Sequence, residues 1–261
     1  MTPETCKEIR RDILKISNKT GHGHIPTCFS VIEAILAVYS VMKHDPKDPR
    51  CPERDIFILS KGHAALAQYC VLARLGYFKT EDVYAFGQCG STFGCHADRL
   101  KIPGIEVSTG SLGHGIGVAV GIALAFKIRK SARKVYTLIG DGESNEGTIW
   151  ESLLVASNLG LSNLTVIYDN NMSHARGLQI TNPAEKFRAF GCGVAETDGH
   201  DLAALAAELR KTADLPRVIV ARTKKGFGSQ TLINGHYEWH RRSPTATELE
   251  TLLRELDEKT I

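Results

Sequence analysis

The sequence has no apolar run long enough to cross a bilayer, no Cys-x-x-Cys pair and almost no excess charge. The first absence excludes a membrane span. The opening stretch MTPETCKEIRRD is charged and helical in pattern, unlike a secretory signal. Seven cysteines, an odd number, fit a reducing cytoplasm better than a disulfide framework. Lys and Arg total 32 against 29 Asp and Glu, a formal charge of +3. That balance argues against a nucleic-acid partner and leaves room for one small anionic ligand. There is no internal repeat, low-complexity tract or clear linker. What is present is 261 residues, 43% of them hydrophobic, enough to bury a sizeable core. The whole of 1–261 reads as a single domain.

Apolar periodicity and punctuation divide the chain into alternating helices and strands. Thr2 as cap and Pro3 in the first turn open a helix whose Ile9, Ile13, Leu14 and Ile16 share a side. The glycine-punctuated loop TGHGHIPT follows, then the helix SVIEAILAVYSVM. RDIFILS reads as a strand ending at Lys61-Gly62-His63, and AALAQYCVLARLGY as a helix. Residues 86–117 form a long irregular stretch, and loops of that length inside compact domains are usually functional. GVAVGIALAFKIRK is a helix of small residues. KVYTLI, NLTVIYD and PRVIVAR are buried strands, with SNEGTIWESLLVASNLG and DLAALAAELRKTA as helices. The alternation predicts an α/β fold with a doubly wound, mostly parallel sheet and helices on both faces.

One stretch carries chemistry. Gly140-Asp141-Gly142 lies just after a strand and just before a helix, where open α/β sheets bind ligands. Glycines let a backbone approach a ligand, and a helix N-terminus offers N–H groups to anions. An aspartate there repels phosphate unless a cation lies between them. Mg²⁺ or Ca²⁺ takes oxygen ligands, and Mg²⁺ is held by one or two carboxylates together with substrate phosphates. Asn170-Asn171 ends the next strand, thirty residues beyond Asp141. Asp141, Asn171 and a diphosphate therefore make a coherent metal site. The alternative is an ordinary tight turn followed by an Asn-rich turn. Several histidines, His22, His63, His96 and His240, lie in loops expected at the same rim. Cys89, Cys95 and His96 match no common zinc spacing. Lys224-Lys225 could meet a phosphate, but reads more simply as a solvated pair.

GDG followed by NN is similar to the thiamine diphosphate motif, and its flanks resemble the transketolase family. TGHGHIP, RDIFILSKGHAAL, CHADRLKIPGIEVSTGSLGHGIGVAVGIALA, TKKGFGS and WH recur in transketolase order, so the resemblance spans nearly the whole chain. It implies the diphosphate-binding (PP) fold, thiamine diphosphate and Mg²⁺ (or Ca²⁺). It implies Asp141, Asn171 and the Ser173 carbonyl as metal ligands, and Gly140 and Gly142 as backbone at the diphosphate. Leu112 would pack against the cofactor. Glu146 would lie at a subunit interface coupling paired cofactor sites, or else serve as an ordinary first-turn carboxylate. His22 and His96 match histidines that contact substrate hydroxyls and shuttle protons. His63 and His240 match histidines near the diphosphate and the reacting centre, although His236 lies only four residues before His240. Imidazole suits such proton traffic. His-Ala-Asp at His96 departs from the family's His-Pro-Glu, which puts donor and acceptor preference in question. His24, His114 and His174 are further rim candidates.

A full-length transketolase also carries pyrimidine-binding and C-terminal domains, and the former supplies the glutamate that activates the cofactor. The resemblance therefore implies the N-terminal subunit of a split transketolase. It would work with a separate pyrimidine-domain chain in an α2β2-like cytoplasmic assembly, moving a two-carbon ketol unit from a ketose to an aldose. A thiamine enzyme acting on a 2-oxoacid or other acyl donor would share GDG and NN, but is not expected to share His22, His63 and His96. A non-catalytic subunit would be expected to have lost Asp141, Gly142 or Asn171, and all three are present.

Overall fold

A computed structural model describes residues 2–258. The first helix, α1 (Pro3–Thr20), starts on a capping box formed by Thr2 and Thr5 and stops at Gly21, whose φ of 75° is left-handed. α2 (Ile25–Val41) begins earlier than the sequence suggested. Pro26 sits in its first turn, where a missing N–H costs nothing, so Thr27 is helical rather than part of the preceding loop. β1 (Ile56–Leu59), α3 (Ala65–Arg74) and the one-turn α4 (Thr80–Val83) follow. The irregular stretch then runs to α5 (His114–Ile128), which begins three residues before the expected start. β2 (Val135–Gly140), α6 (Gly147–Asn158) and β3 (Leu164–Asn170) fall as anticipated.

The next elements, α7 (Pro183–Ala189) and β4 (Gly193–Asp198), were not legible in the sequence, whereas α8 (Leu202–Arg210) and β5 (Arg217–Arg222) were. The C-terminal region holds α9 (Gln230–Asn234) and α10 (Ala246–Asp257), the latter with a Thr245–Glu248 capping box. It is therefore ordered, and α10 buries Leu252 and Leu256 in the core shared with α1.

The five strands pair in the order β1-β2-β3-β5-β4, and every pair is parallel. Strand side chains alternate between faces. Phe57, Leu59, Tyr136, Leu138, Ile167 and Ile219 point into one core with α1, α2, α3 and α8. Ile56, Ile58, Val135, Ile139, Val166, Tyr168 and Val218 point into a second core under α5, α6 and α7. Helices thus cover both faces, the expected doubly wound arrangement. All strands run the same way, so the carboxyl ends of β1, β2, β3 and β5 open onto one rim.

α5 is seated tightly behind that rim. A Cβ on Gly115 would lie 2.6 Å from the Ser60 Cα, a backbone atom that follows β1 directly. Gly115→Ala should therefore destabilise the chain by about 1–3 kcal/mol through overpacking. Urea unfolding measures this, and wild-type stability would mean that α5 can retreat from β1.

Candidate active site

The rim is organised by a buried carboxylate at the end of β3. Asp169 forms an ion pair with Lys61, both side chains being 2% exposed. It also accepts hydrogen bonds from Ser30 Oγ (2.8 Å), Asn171 Nδ2 (2.8 Å) and the Thr223 hydroxyl. Removing one member of a buried pair typically costs about 3–5 kcal/mol, because a charge is left without a partner. Asp169 thus ties the segments after β1 and β5, and helix α2, to the end of β3.

Beside this hub lies a cavity of about 460 Å³. Its lining includes His63, His96, Leu112, Gly140, Asp141, Gly142, Asn171, Ser173 and His240. Of the residues given a site role from the resemblance, His22 and Glu146 are missing from it, as are the rim candidates His114 and His174. His240 lines the cavity and His236 does not; His236 Nδ1 instead donates to the Ile233 carbonyl at 2.8 Å. The His22 ring packs edge-on against Phe86 with its Nδ1 3.4 Å from Cys95 Sγ, so His24, two residues on, faces the cavity instead. Glu146 is exposed as the N-cap of α6. The carboxylate that enters the site is Glu143, which accepts from Ser60 Oγ (2.6 Å) and from the Gly113 and Gly140 N–H groups. Burial raises its pKa, although those donors oppose the shift.

Asp141 is surrounded by donors. Its oxygens accept from Gly142 N (2.7 Å), Ser173 N (2.8 Å), His174 Nδ1 (2.8 Å) and the Ser173 hydroxyl. The Asn171 Oδ1 lies 3.0 Å from the same Ser173 N. The carboxylate of Asp141 and the amide oxygen of Asn171 therefore converge on one point. Hard oxygen donors arranged in this way suit a small divalent cation in place of that N–H. His174 does not line the cavity but orients Asp141, a role that no sequence pattern indicated. His114 is exposed and turned to the Leu112 carbonyl.

Lys225 corrects the reading of a solvated pair. It is buried in the cavity wall while Lys224 is exposed. Burial, reinforced by Lys61, lowers its pKa to about 8. No carboxylate forms an ion pair with it among the described residues, and its Nζ lies 3.3 Å from His240 Nδ1. With Arg241 also in the lining, the cavity gathers positive charge suited to an anion. Burial and, after it, the same field keep three imidazoles of the cavity neutral. Burial, then positive neighbours, lowers His24 and His240 to about 4 and His63 well below its usual range. Lys61 donates to Thr27 Oγ1 at 3.4 Å, so the Thr27 hydroxyl is left to donate to His63 Nε2 at 3.3 Å. His63 then carries its proton on Nδ1.

A larger cavity of about 1560 Å³ lies between α1, α2 and α8. Its buried charges, Arg10 and Glu33, satisfy each other at 2.7 Å, with His200 against Glu33. It is lined by Thr223, Lys224, Phe227 and Gly228 of the TKKGFGS stretch but by none of the residues given a site role above, so the smaller cavity is the candidate site.

Known proteins are similar to this chain in sequence and in fold. The profile of the transketolase thiamine diphosphate-binding domain matches residues 2–256. One subunit of the apulose-4-phosphate transketolase of Actinobacillus succinogenes is 39% identical, the match covering 97% of this chain and 95% of that protein. A 6-deoxy-6-sulfo-D-fructose transketolase subunit of a Clostridium species is 38% identical over 85% of this chain and 84% of its own length. Among solved structures, the transketolase of Campylobacter jejuni superposes with a TM-score of 0.82 at 29% identity. That superposition covers 98% of this chain and 42% of the Campylobacter chain.

The neutral histidines generate a pH dependence. In the unfolded chain these imidazoles titrate near 6.5, but His24 and His240 hold out to about 4 when folded. Between those values the unfolded state binds more protons, so stability falls as pH drops through this window and levels off below it. Thermal melts from pH 7 to 4 should show the fall, and His63→Asn should flatten part of it. A slope unchanged by that substitution would mean His63 is not held neutral by the fold.

Proposed function

The chain belongs to the transketolase family through its thiamine diphosphate-binding domain, and on that premise we propose that it is the N-terminal subunit of a two-component transketolase. The carrying observation is length: it matches a relative named as one subunit of a transketolase across 95% of that protein, but only about two fifths of full-length transketolase structures. The reading includes a separate pyrimidine-domain partner in an α2β2-like complex, in a cytoplasm that keeps the seven cysteines reduced. It takes a ketose phosphate or related sugar as donor and an aldose as acceptor. The names of the relatives point to apulose 4-phosphate or a sulfonated fructose as donors to try first.

Bound thiamine diphosphate supplies the carbon nucleophile and electron sink that ketol transfer requires. This chain's residues do the rest of their half. Asp141, Asn171 and the Ser173 carbonyl would hold Mg²⁺ (or Ca²⁺), whose charge would offset the repulsion between Asp141 and the diphosphate. Lys225 would face the diphosphate, with the Gly140 and Gly142 backbone beside it, and Leu112 would pack against the cofactor. His63 and His240, kept neutral, each present one N–H and one lone pair, and His96 lines the same cavity. They can take a proton from a hydroxyl and return it to an alkoxide without a change of environment. His22 reaches the sugar only if its ring leaves Cys95.

The test is co-purification with the pyrimidine-domain partner, followed by a ketol-transfer assay with thiamine diphosphate and Mg²⁺. Activity should need both chains, and Asp141→Ala should lower kcat/KM by about a thousandfold or more. A complex that holds the cofactor but accepts only 2-oxoacid donors would replace the transketolase reading. A complex that holds none would make this a non-catalytic subunit. Lys225 adds a second readout. Its ammonium is lost as pH rises through about 8, so cofactor affinity should weaken between pH 7 and 9. Lys225→Met should weaken binding at pH 7 by about tenfold and flatten that slope. Calorimetry across the range decides it.

A further inference from the structure

His22 is turned away from the cavity and into a socket formed by the irregular stretch after α4. The buried Phe86 meets its ring edge-on, with 5.9 Å between centroids. Gly87 lies against the ring. A Cβ there would fall 2.4 Å from the ring Cδ2, and the φ of 68° is left-handed, so space and backbone both call for glycine. Cys95 closes the socket, its Sγ 3.4 Å from Nδ1. The main chain nearby is tied down as well. The His22 carbonyl accepts from the Ser17 hydroxyl, and Gln88 Nε2 donates to the Thr20 carbonyl at 3.0 Å. Swinging the ring into the cavity would empty the socket and leave the Cys95 thiol without a partner among the described residues.

What the socket holds matters because His96 follows Cys95 directly. Phe86 and Phe93 anchor this stretch in the core, their ring centroids 6.1 and 5.5 Å from that of Tyr69. Beyond Phe93 the supports thin out. Tyr69 Oη donates to the Gly94 carbonyl at 3.0 Å, and the Thr109 N–H donates to the Ala97 carbonyl at 3.3 Å. Between those ties lie Cys95 and His96. His96 lines the cavity, but its ring is exposed and makes no hydrogen bond among the described residues. Its position is therefore inherited from the backbone that carries it, and Cys95 is the side chain that grips a separate segment from that backbone. Gly110 backs the ring closely, since a Cβ there would fall 3.3 Å from the His96 Cδ2. A small shift of this backbone redirects the ring.

We propose that His22 and Cys95 form a clasp that sets His96 at the cavity, which makes His22 a positioning residue and not a contact to substrate. This rests on the transketolase reading, in which His96 meets a sugar hydroxyl. A thiol is a weak hydrogen-bonding group, so the clasp is weak in itself. It acts one residue from the ring it places, however, and a misplacement of about 1 Å at a reacting group can cost about a hundredfold in rate.

The experiment is a double-mutant cycle in the complex with the partner chain. His22→Phe keeps an aromatic ring in the socket and removes both nitrogens, and Cys95→Ala removes the sulfur. Each should lower kcat/KM for the sugar substrates by about tenfold, with affinity for thiamine diphosphate within about twofold of wild type. The double variant should also lose about tenfold, not a hundredfold, because a clasp already open cannot be opened again. Cys95→Ser, which keeps a short polar partner for the imidazole, should restore part of the loss. Amide hydrogen exchange read by mass spectrometry gives a measure that needs no turnover: residues 94–97 should exchange about fivefold faster or more in His22→Phe and Cys95→Ala alike. Losses that multiply in the double variant overturn the proposal, as does unchanged exchange in both single variants. So does a silent Cys95→Ala beside a damaged His22→Phe, the pattern of a His22 that meets the sugar itself. A wild-type complex that transfers no ketol unit overturns the functional reading and this role with it, whereas an active wild type with multiplying losses or unchanged exchange removes this inference alone.

Discussion

The site depends on moving one ion pair out of water. Lys61 and Asp169 are both buried, and a buried pair is tolerable only when the remaining lone pairs and protons are also satisfied. Here Ser30, Asn171, Thr223 and Thr27 supply those partners. The partners come from α2 and from the segments after β3 and β5, so satisfying one carboxylate fixes how these strand ends meet. Asn171 shows the consequence. Its Nδ2 is spent on Asp169, and that leaves its Oδ1 turned toward Ser173 and Asp141. The orientation of the proposed cation ligand is set by a charge pair that never touches the cation.

Charge is sorted on either side of this hub. Asp141 is balanced by four donors, and Glu143 by three, so neither brings an unsatisfied negative charge to the cavity. Lys225 and Arg241 have no such compensation inside it. Burial first, and then this positive field, lowers the pKa of His24, His63 and His240 and keeps them neutral. The charges that attract an anion therefore also reinforce the neutrality that burial imposes on the imidazoles.

Much of this was legible in the sequence for a physical reason. Buried parallel strands must be apolar on both faces, so VYTLIG, LTVIYDN and RVIVAR announce themselves. A glycine–aspartate–glycine turn at a strand end has few other uses once a matching Asn pair follows. β4 was not legible because it is an edge strand, half-exposed, with Glu196 and Asp198 in its sequence. α10 opens on a Thr245–Glu248 capping box that local pattern can reveal, but its partner α1 lies at the other end of the chain, so what Leu252 and Leu256 cover is not local information. His22 and His24 are two residues apart in one loop, and only the turn of the backbone decides which ring faces the cavity. Lys225 and Lys224 pose the same problem: adjacent identical side chains, one buried and one exposed. Contacts of this kind depend on distant segments, and local pattern carries no record of them.

The buried lysine has a chemical side that its charge obscures. An ammonium that releases its proton near pH 8 leaves a free amine in appreciable amount at neutral pH, and amines attack carbonyl and acyl carbons. A site read as handling aldehydes and ketones thus places a nucleophile beside its own substrates. An anion seated against Lys225 would hold the proton in place and quench that reactivity, so a filled site is also a chemically quieter one.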